Sequence, residues 1–322
     1  MRDVVILLST YNGARFLPEQ LDSIGRQEGA FPRALFWRDD GSTDGTPELL
    51  RAARLPGCRV LEATALTGRL GAARSFLALL AASPGAAFHA FCDQDDVWLP
   101  DKLARATARL DALPEEVPAL YCGRQQLVDA ELRPVGLSPL PRRPPGFANA
   151  LVQNIATGCT VVLNAAARRL MLAAPPPPPG SMHDWWCYLL VSGAGGQVLF
   201  DADPCILYRQ HGANVVGAPR ALLGRGIAAF RRGPQAFLRL LHGHLEALAG
   251  AEGLLTPEAA AKVSVLREAF AAGPLRRLRA LRQAGVYRQT LAEDLTLRAW
   301  CLLGADGPGK RGGNPAGSRR AG

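Results

Sequence analysis

Phe88-His89-Ala90-Phe91-Cys92-Asp93-Gln94-Asp95-Asp96 changes character between one residue and the next: an almost wholly apolar run ends and an acidic one begins. Five such residues ahead of a polar cluster read as a strand buried on both faces, as in a parallel sheet. The carboxylates then lie at its carboxyl end. The same change occurs earlier in the chain. Val4-Val5-Ile6-Leu7-Leu8 runs into Ser9-Thr10-Tyr11-Asn12-Gly13, and Ala34-Leu35-Phe36-Trp37 stops at Asp39-Asp40-Gly41-Ser42. Arg59-Val60-Leu61-Glu62 is a further short strand. Between these runs the apolar spacing turns helical. Phe16, Leu17, Leu21 and Ile24 recur at helix period, Thr46-Pro47-Glu48 opens a second helix with proline at a tolerated first-turn position, and 71–82 make a third. Repeated strand–helix alternation predicts an α/β fold, with right-handed crossovers and a mainly parallel sheet flanked by helices. Ligands of such sheets bind beyond the carboxyl ends of the strands. The polar clusters at 9–13, 39–44 and 93–96 should therefore converge on one edge.

Beyond Pro100 the pattern loosens. A helix is expected over 101–113, a Pro- and Arg-rich loop over 134–146, and strands over 160–163, 197–200 and 205–208. Pro175 to Pro179 can be neither helix nor central strand and should stiffen a surface loop. From 219 the sequence reads as helices broken by Gly and Pro. The expected organisation is a sheet domain over 1–218, a basic helical region over 219–305 and a disordered Gly-rich tail over 306–322.

In 322 residues, 48% hydrophobic, there is ample material for a core. The opening MRDVVILLSTYNG lacks the long apolar run of a signal peptide, and no stretch approaches bilayer-spanning length, so a cytoplasmic location is expected. Seven cysteines without CxxC spacing argue against a disulfide framework or a structural zinc site. Charge is uneven. Residues 1–218 carry 20 Lys and Arg against 21 Asp and Glu, whereas 219–322 carry 17 against 7. Such a basic third suits an anionic lipid surface or an anionic acceptor, and equally a solvated helical surface. Nucleic acid is not an expected partner.

The carboxylates of Asp93, Asp95 and Asp96 lie too close together to ionise comfortably without a cation. Oxygen ligands of this kind suit Mg²⁺ or Mn²⁺, which bridge carboxylates to substrate phosphates. Helix capping ahead of Trp98-Leu99-Pro100 accounts for one of the three acids but not for all. The second cluster, Asp39-Asp40-Gly41-Ser42-Thr43-Asp44-Gly45-Thr46, is by itself ordinary turn chemistry.

The joint order of Ser9-Thr10-Tyr11-Asn12, DDGSTDGT at 39–46 and DQDD at 93–96 resembles the family 2 glycosyltransferases, which have the GT-A fold. NIATGCT at 154–160, Met182-His183-Asp184-Trp185-Trp186 and Tyr208-Arg209-Gln210-His211 extend the resemblance to about residues 4–216, closest to the rhamnosyltransferase-like branch that builds bacterial surface polysaccharide. The resemblance implies that Thr10 and Tyr11 touch the nucleotide and that Asp39 and Asp40 hold base and ribose. It implies that Asp93 and Asp95 form the DxD pair, with Asp95 a metal ligand, and that Asp96 supports the metal or donor sugar. Asp184 matches the catalytic base and His211 a histidine that approaches the metal and diphosphate. The family's usual Asn-x-Gly element is absent. In its place Thr67-Gly68-Arg69-Leu70-Gly71 offers Arg69 to a phosphate or the base.

The chemistry fits those residue types. A departing nucleoside diphosphate needs a cation to neutralise it, and an attacking hydroxyl needs a carboxylate base. One displacement with one base implies inversion at the sugar, with a growing glycan or a lipid-linked glycan as acceptor. Other readings stay open residue by residue. Asp184 suits a helix cap, His211 a purely structural role, and Trp185 and Trp186 either an acceptor-sugar platform or the core. At the level of the chain the alternatives are a nucleotidyltransferase, although no Gly-rich loop follows the first strand, and a non-enzymatic binder of anionic polymers acting through the basic third.

Overall fold

A computed structural model of the chain describes residues 2–211 and 222–303, with side chains throughout except over 222–233. The expected boundary at 218/219 and the tail over 306–322 lie outside the described residues. Parallel strands β1 (Val4–Thr10), β2 (Arg33–Asp39), β3 (Cys58–Glu62) and β4 (Phe88–Cys92) form one half of the sheet, in the order β3-β2-β1-β4. Helices α1 (Leu17–Gly25), α2 (Thr46–Ala52) and α3 (Ala72–Ala82) connect them. Side chains alternate across β1. Val5 and Leu7 enter one apolar cluster while Val4, Ile6 and Leu8 enter the other, so both faces are covered.

The other half is mixed. β5 (Val97–Trp98) follows the acidic run and α4 (Lys102–Asp111) comes next. β6 (Ala119–Val128), β7 (Pro134–Leu137), β8 (Val162–Asn164) and β9 (Gln197–Arg209) extend the order as β4-β8-β6-β9-β5, with β7 on the edge of β6. β8 is antiparallel to both neighbours, yet β6 and β9 run parallel over a long ladder, so parallel pairing dominates the sheet. This is the mainly parallel α/β sheet that the alternation predicts.

Three local expectations change. The 134–146 segment contains strand β7, which begins at Pro134 and is exposed throughout. An edge strand tolerates proline at its first residue, and with no buried face it leaves no alternation to read. The two short strands at 197–200 and 205–208 are one strand, β9, bent by register shifts opposite Gly123 and Arg124. Two elements are additional to those expected: the ten-residue strand β6 and the nine-residue helix α6 (Ala165–Ala173), capped by Asn164.

Short α5 (Phe147–Ala150) and α7 (His183–Gly193) complete this part. α8 (Leu222–Ala249), α9 (Pro257–Ala272), α10 (Pro274–Gln283) and α11 (Leu291–Leu303) follow. These helices are not appended at a distance. Leu241, Leu245 and Leu248 of α8 share one apolar cluster with Trp186 of α7 and with Val5 and Phe91 of the sheet. Leu238 is buried there too, and the Phe237 ring lies 5.3 Å from that of Trp300. Within the Leu-rich stretch at 237–241, Leu238 and Leu241 therefore face inward. All seven cysteines are free and buried. Among the described residues no helix is long and apolar enough to cross a membrane.

Candidate active site

The carboxyl ends of β1, β2 and β4 meet, and their loops interlock through side chains. The Thr10 hydroxyl, buried at the end of β1, donates to Asp39 Oδ1 at 2.8 Å. Asp39 Oδ2 accepts from the backbone N–H groups of Gly41 and Ser42. Asn12 sits at φ 48°, a left-handed conformation that asparagine adopts more readily than most residues. There its side chain accepts from the Thr43 N–H while its own N–H donates to Ser42.

Asp40 points the other way. Burial pushes its pKa up, but hydrogen bonds from the Leu70 N–H at 2.6 Å, from Arg38 and from the Gly71 N–H at 2.8 Å hold it below the ordinary range. Its oxygens are thus taken up by the 67–71 loop. That loop carries Arg69, whose guanidinium stands 4.3 Å from the Tyr11 ring centroid. Arg69 lines an open cleft of about 360 Å³ together with Asp39, Gly41, Glu62 and Thr64. Arg69 and Tyr11 are themselves stacked in a cation–π contact, which holds the guanidinium at the edge of the cleft.

The acidic run is fastened on both sides. Gln94 makes a paired contact with the Tyr11 backbone, accepting from its N–H at 2.8 Å and donating to its carbonyl at 3.0 Å. Gly13 leaves room for this pairing, because a Cβ would fall 2.2 Å from the Gln94 amide oxygen and push that side chain away. From the opposite side, Arg209 at the end of β9 donates its Nε to the Asp95 carbonyl at 2.8 Å and its N–H to Asp96 Oδ1 at 3.2 Å. Its buried guanidinium also meets the Ala130 carbonyl and Glu19 of α1. Two residues on, His211 Nε2 lies 2.8 Å from Asp95 Oδ2.

The acids themselves divide. Asp95 faces His211 at the partly exposed rim. Asp93 and Asp96 turn inward with Cys159, the three ligand atoms lying within 4.8 Å of one another. Burial and then the charges of Asp95 and Asp184 push Asp93 up to about 7. Burial, Asp95 and Asp93 raise Asp96 well above the ordinary range, and its Oδ2 is buried without a hydrogen-bond partner. A cluster that resists ionising and leaves an acceptor unsatisfied suits a divalent cation, and carboxylate oxygens with an imidazole nitrogen suit Mg²⁺ or Mn²⁺.

Asp184 lies in the first turn of α7. Met182 occupies the cap position, so capping does not explain the acid. Its Oδ2 accepts from the Gly158 N–H at 2.8 Å and its Oδ1 from the Trp185 N–H at 2.6 Å. Burial pushes it up to about 6 against these bonds. Its neighbour His183 stacks on Phe76 at 4.3 Å, and burial lowers its imidazole to about 3. The aromatic pair divides as well. Trp186 is 1% exposed and packs in the core beside His244, which removes it from any acceptor surface. Trp185 is only partly buried, with its indole N–H donating to the Ala150 carbonyl at 2.7 Å.

The structure thus brings Tyr11, Asp39, Arg69, Asp93, Asp95, Asp96, Asp184 and His211 to one edge of the sheet, with Thr10 and Asp40 tied behind it. The sequence profile of "Glycosyl transferase family 2" matches residues 5–172, more than half of the chain. The chain belongs to glycosyl transferase family 2. Among curated proteins it is similar to the dTDP-rhamnosyl transferase RfbG of Shigella flexneri. Identity is 26% over 225 residues, covering 66% of this chain and 74% of that protein. An uncharacterized protein of Mycobacterium tuberculosis is 27% identical over 256 residues, covering 75% of this chain and 69% of its own length. Among solved structures, residues 1–349 of TarS from S. aureus in complex with UDP-GlcNAc superpose with a TM-score of 0.56. That match has 16% identity and covers 92% of this chain and 78% of that one. It shows the GT-A glycosyltransferase fold.

Several supports of this transferase's site carry no role in the sequence reading: Gln94, Arg209 and Cys159 lie inside quoted motifs without an assigned function, and Glu19 and Arg38 lie outside them. Lys102 is another, buried with its ammonium 3.5 Å from the Trp98 ring centroid. No sequence signal pairs Arg209 with Glu19, 190 residues away.

Proposed function

We propose that this enzyme is an inverting transferase that moves a sugar, rhamnose in the first instance, from a nucleoside-diphosphate-sugar to a growing surface glycan or lipid-linked acceptor. One observation carries the reading. A buried carboxylate, Asp184, accepts from the Gly158 N–H at 2.8 Å, next to the Cys159 whose sulfur lies within 4.8 Å of carboxylate oxygens of Asp93 and Asp96.

Arg69, stacked on Tyr11, bounds the cleft that takes the base, and the Asp39 turn orients the ribose. Thr10 and Asp40 act by holding those groups in place. Asp95 and His211 would hold Mg²⁺ or Mn²⁺, with Asp93 and Asp96 behind them. When bound, that ion supplies Lewis-acid neutralisation of the departing diphosphate. Asp184 accepts the proton of the acceptor hydroxyl as its oxygen bonds to the anomeric carbon. The bond from that carbon to the diphosphate oxygen breaks, and its electron pair leaves with the nucleoside diphosphate. A base whose pKa lies near the working pH is well placed for this transfer. The partly exposed Trp185 offers an aromatic face to the acceptor sugar.

The dTDP-rhamnosyl transferase relative supports the choice of sugar. The test is a screen of dTDP-, UDP- and GDP-sugars with Mg²⁺ or Mn²⁺, following nucleoside-diphosphate release. dTDP-rhamnose should turn over fastest and EDTA should stop it. Turnover of another donor alone would move the sugar assignment, and no metal-dependent release from any donor would sink the reading.

A further inference from the structure

Helices α10 and α11 carry exposed leucines beside exposed arginines. On α11, Leu291, Leu295, Arg298 and Leu302 fall at the i, i+4, i+7, i+11 spacing of one helix face, and all are exposed, Leu291 by 65% and Leu295 by 55%. The acids of the same helix turn away from that face. Asp294 is buried against Arg143 at 2.8 Å, and Glu293 bonds with Gln153 and Thr290. α10, packed against α11, contains no acid at all and exposes Arg276, Arg279 and Arg282.

We propose that the outer face of α10 and α11 docks the enzyme on an anionic lipid bilayer. Leucines would enter the interface between headgroups and acyl chains while arginines meet the phosphates. The charge argument selects this occupant. A soluble protein surface would be expected to intersperse both signs, whereas the outward positions of these two helices carry leucine and arginine with no carboxylate between them. A helix with an apolar stripe and cationic flanks lies in the plane of a membrane interface. Each arginine near such a surface gains from its negative potential and loses that gain as salt rises. A second copy of the chain would present the same cationic face and be repelled. Because 219–322 holds 17 basic residues against 7 acidic, the region as a whole adds to the attraction. Docking by this face would hold the enzyme where a lipid-linked acceptor lies, but it does not depend on the transfer chemistry.

The test is flotation of the full-length protein with phosphatidylcholine vesicles, with and without phosphatidylglycerol, in the absence of donor. Binding should require phosphatidylglycerol and weaken steeply between low and moderate salt. Leu291→Glu with Leu295→Glu, and separately Arg276→Glu with Arg279→Glu and Arg282→Glu, should each weaken it by about tenfold or more. Both variants should keep wild-type melting temperature and turnover of a soluble donor. No binding by the wild type at low salt, or equal binding by both folded variants, overturns the proposal. So does loss of a dimer in the Leu variant with vesicle binding unchanged. Each of these outcomes leaves the transferase reading standing.

Discussion

Asp184 is held in two opposed ways, and its behaviour with pH follows. Burial raises its pKa from 3.8 to about 6, while the N–H groups of Gly158 and Trp185 hold the carboxylate in place. As the general base it must be ionised, so kcat/KM should rise through about pH 6 and then level off. Asp184→Asn should keep donor binding and lower turnover by at least about a hundredfold. The same shift makes a stability prediction of opposite sense. A carboxyl whose folded pKa exceeds its unfolded pKa stabilises the fold only while protonated, below about pH 4, and loses that contribution as pH rises through 6. The loss amounts to roughly 3 kcal/mol. In EDTA, the stability of Asp184→Asn relative to wild type should therefore climb between pH 4 and pH 8 in urea unfolding. A difference independent of pH would mean that the carboxyl is not perturbed. Asp95→Ala removes the carboxylate that faces His211 and should abolish nucleoside-diphosphate release with either metal. Undiminished release would take the metal away from that pair.

At the scale of elements, the end of β9 governs the acidic loop. Arg209 grips the Asp95 carbonyl and Asp96 from one side, and its guanidinium is itself fixed by Glu19 and the Ala130 carbonyl. Supports of metal ligands are commonly worth about 10- to 100-fold in affinity or activity. Arg209→Met should accordingly raise the Mn²⁺ concentration for half-maximal turnover by that order, with the donor KM following it. Glu19→Gln should do less, because Glu19 is half exposed and exposed pairs contribute little. Equal and small effects in both would reduce Arg209 to a packing residue. This support shows where sequence reading stops. The strands β1 to β4 and the clusters behind them could be read because each apolar run ends abruptly in polar residues, a local signal. DQDD could be read because clustered carboxylates after an apolar strand call for a cation, and Asp184 only through the family resemblance. Arg209 and Glu19 meet only through the tertiary fold, and β6 joins the sheet through long-range pairing with β9. Trp186 was legible as aromatic and apolar, but which of two adjacent tryptophans faces outward depends on the roll of α7 against the core.

The whole molecule raises a question of cooperativity. Composition divides the chain near 218, with balanced charge before and basic charge after. Packing draws no such line. Leu241, Leu245 and Leu248 reach into the cluster that holds Trp186, Phe91 and Val5, so α8 covers the apolar face of α7, which itself lies against the sheet. A change of charge records what the surface meets, whereas the core records what must fold together. The C-terminal helices should therefore melt with the sheet and not after it. Leu245→Ala, at a fully buried position, should cost about 2–5 kcal/mol. Tryptophan fluorescence and far-ultraviolet circular dichroism should report that loss at one shared urea midpoint, because Trp37 and Trp98 in the sheet half and Trp300 on α11 would sense one transition. Residues 1–218 expressed alone should expose this apolar face, bind a hydrophobic dye and unfold without a sharp midpoint. A fragment that unfolds sharply at the wild-type midpoint, or two separated transitions in the Leu245→Ala protein, would show that the boundary written in charge is also a boundary of folding.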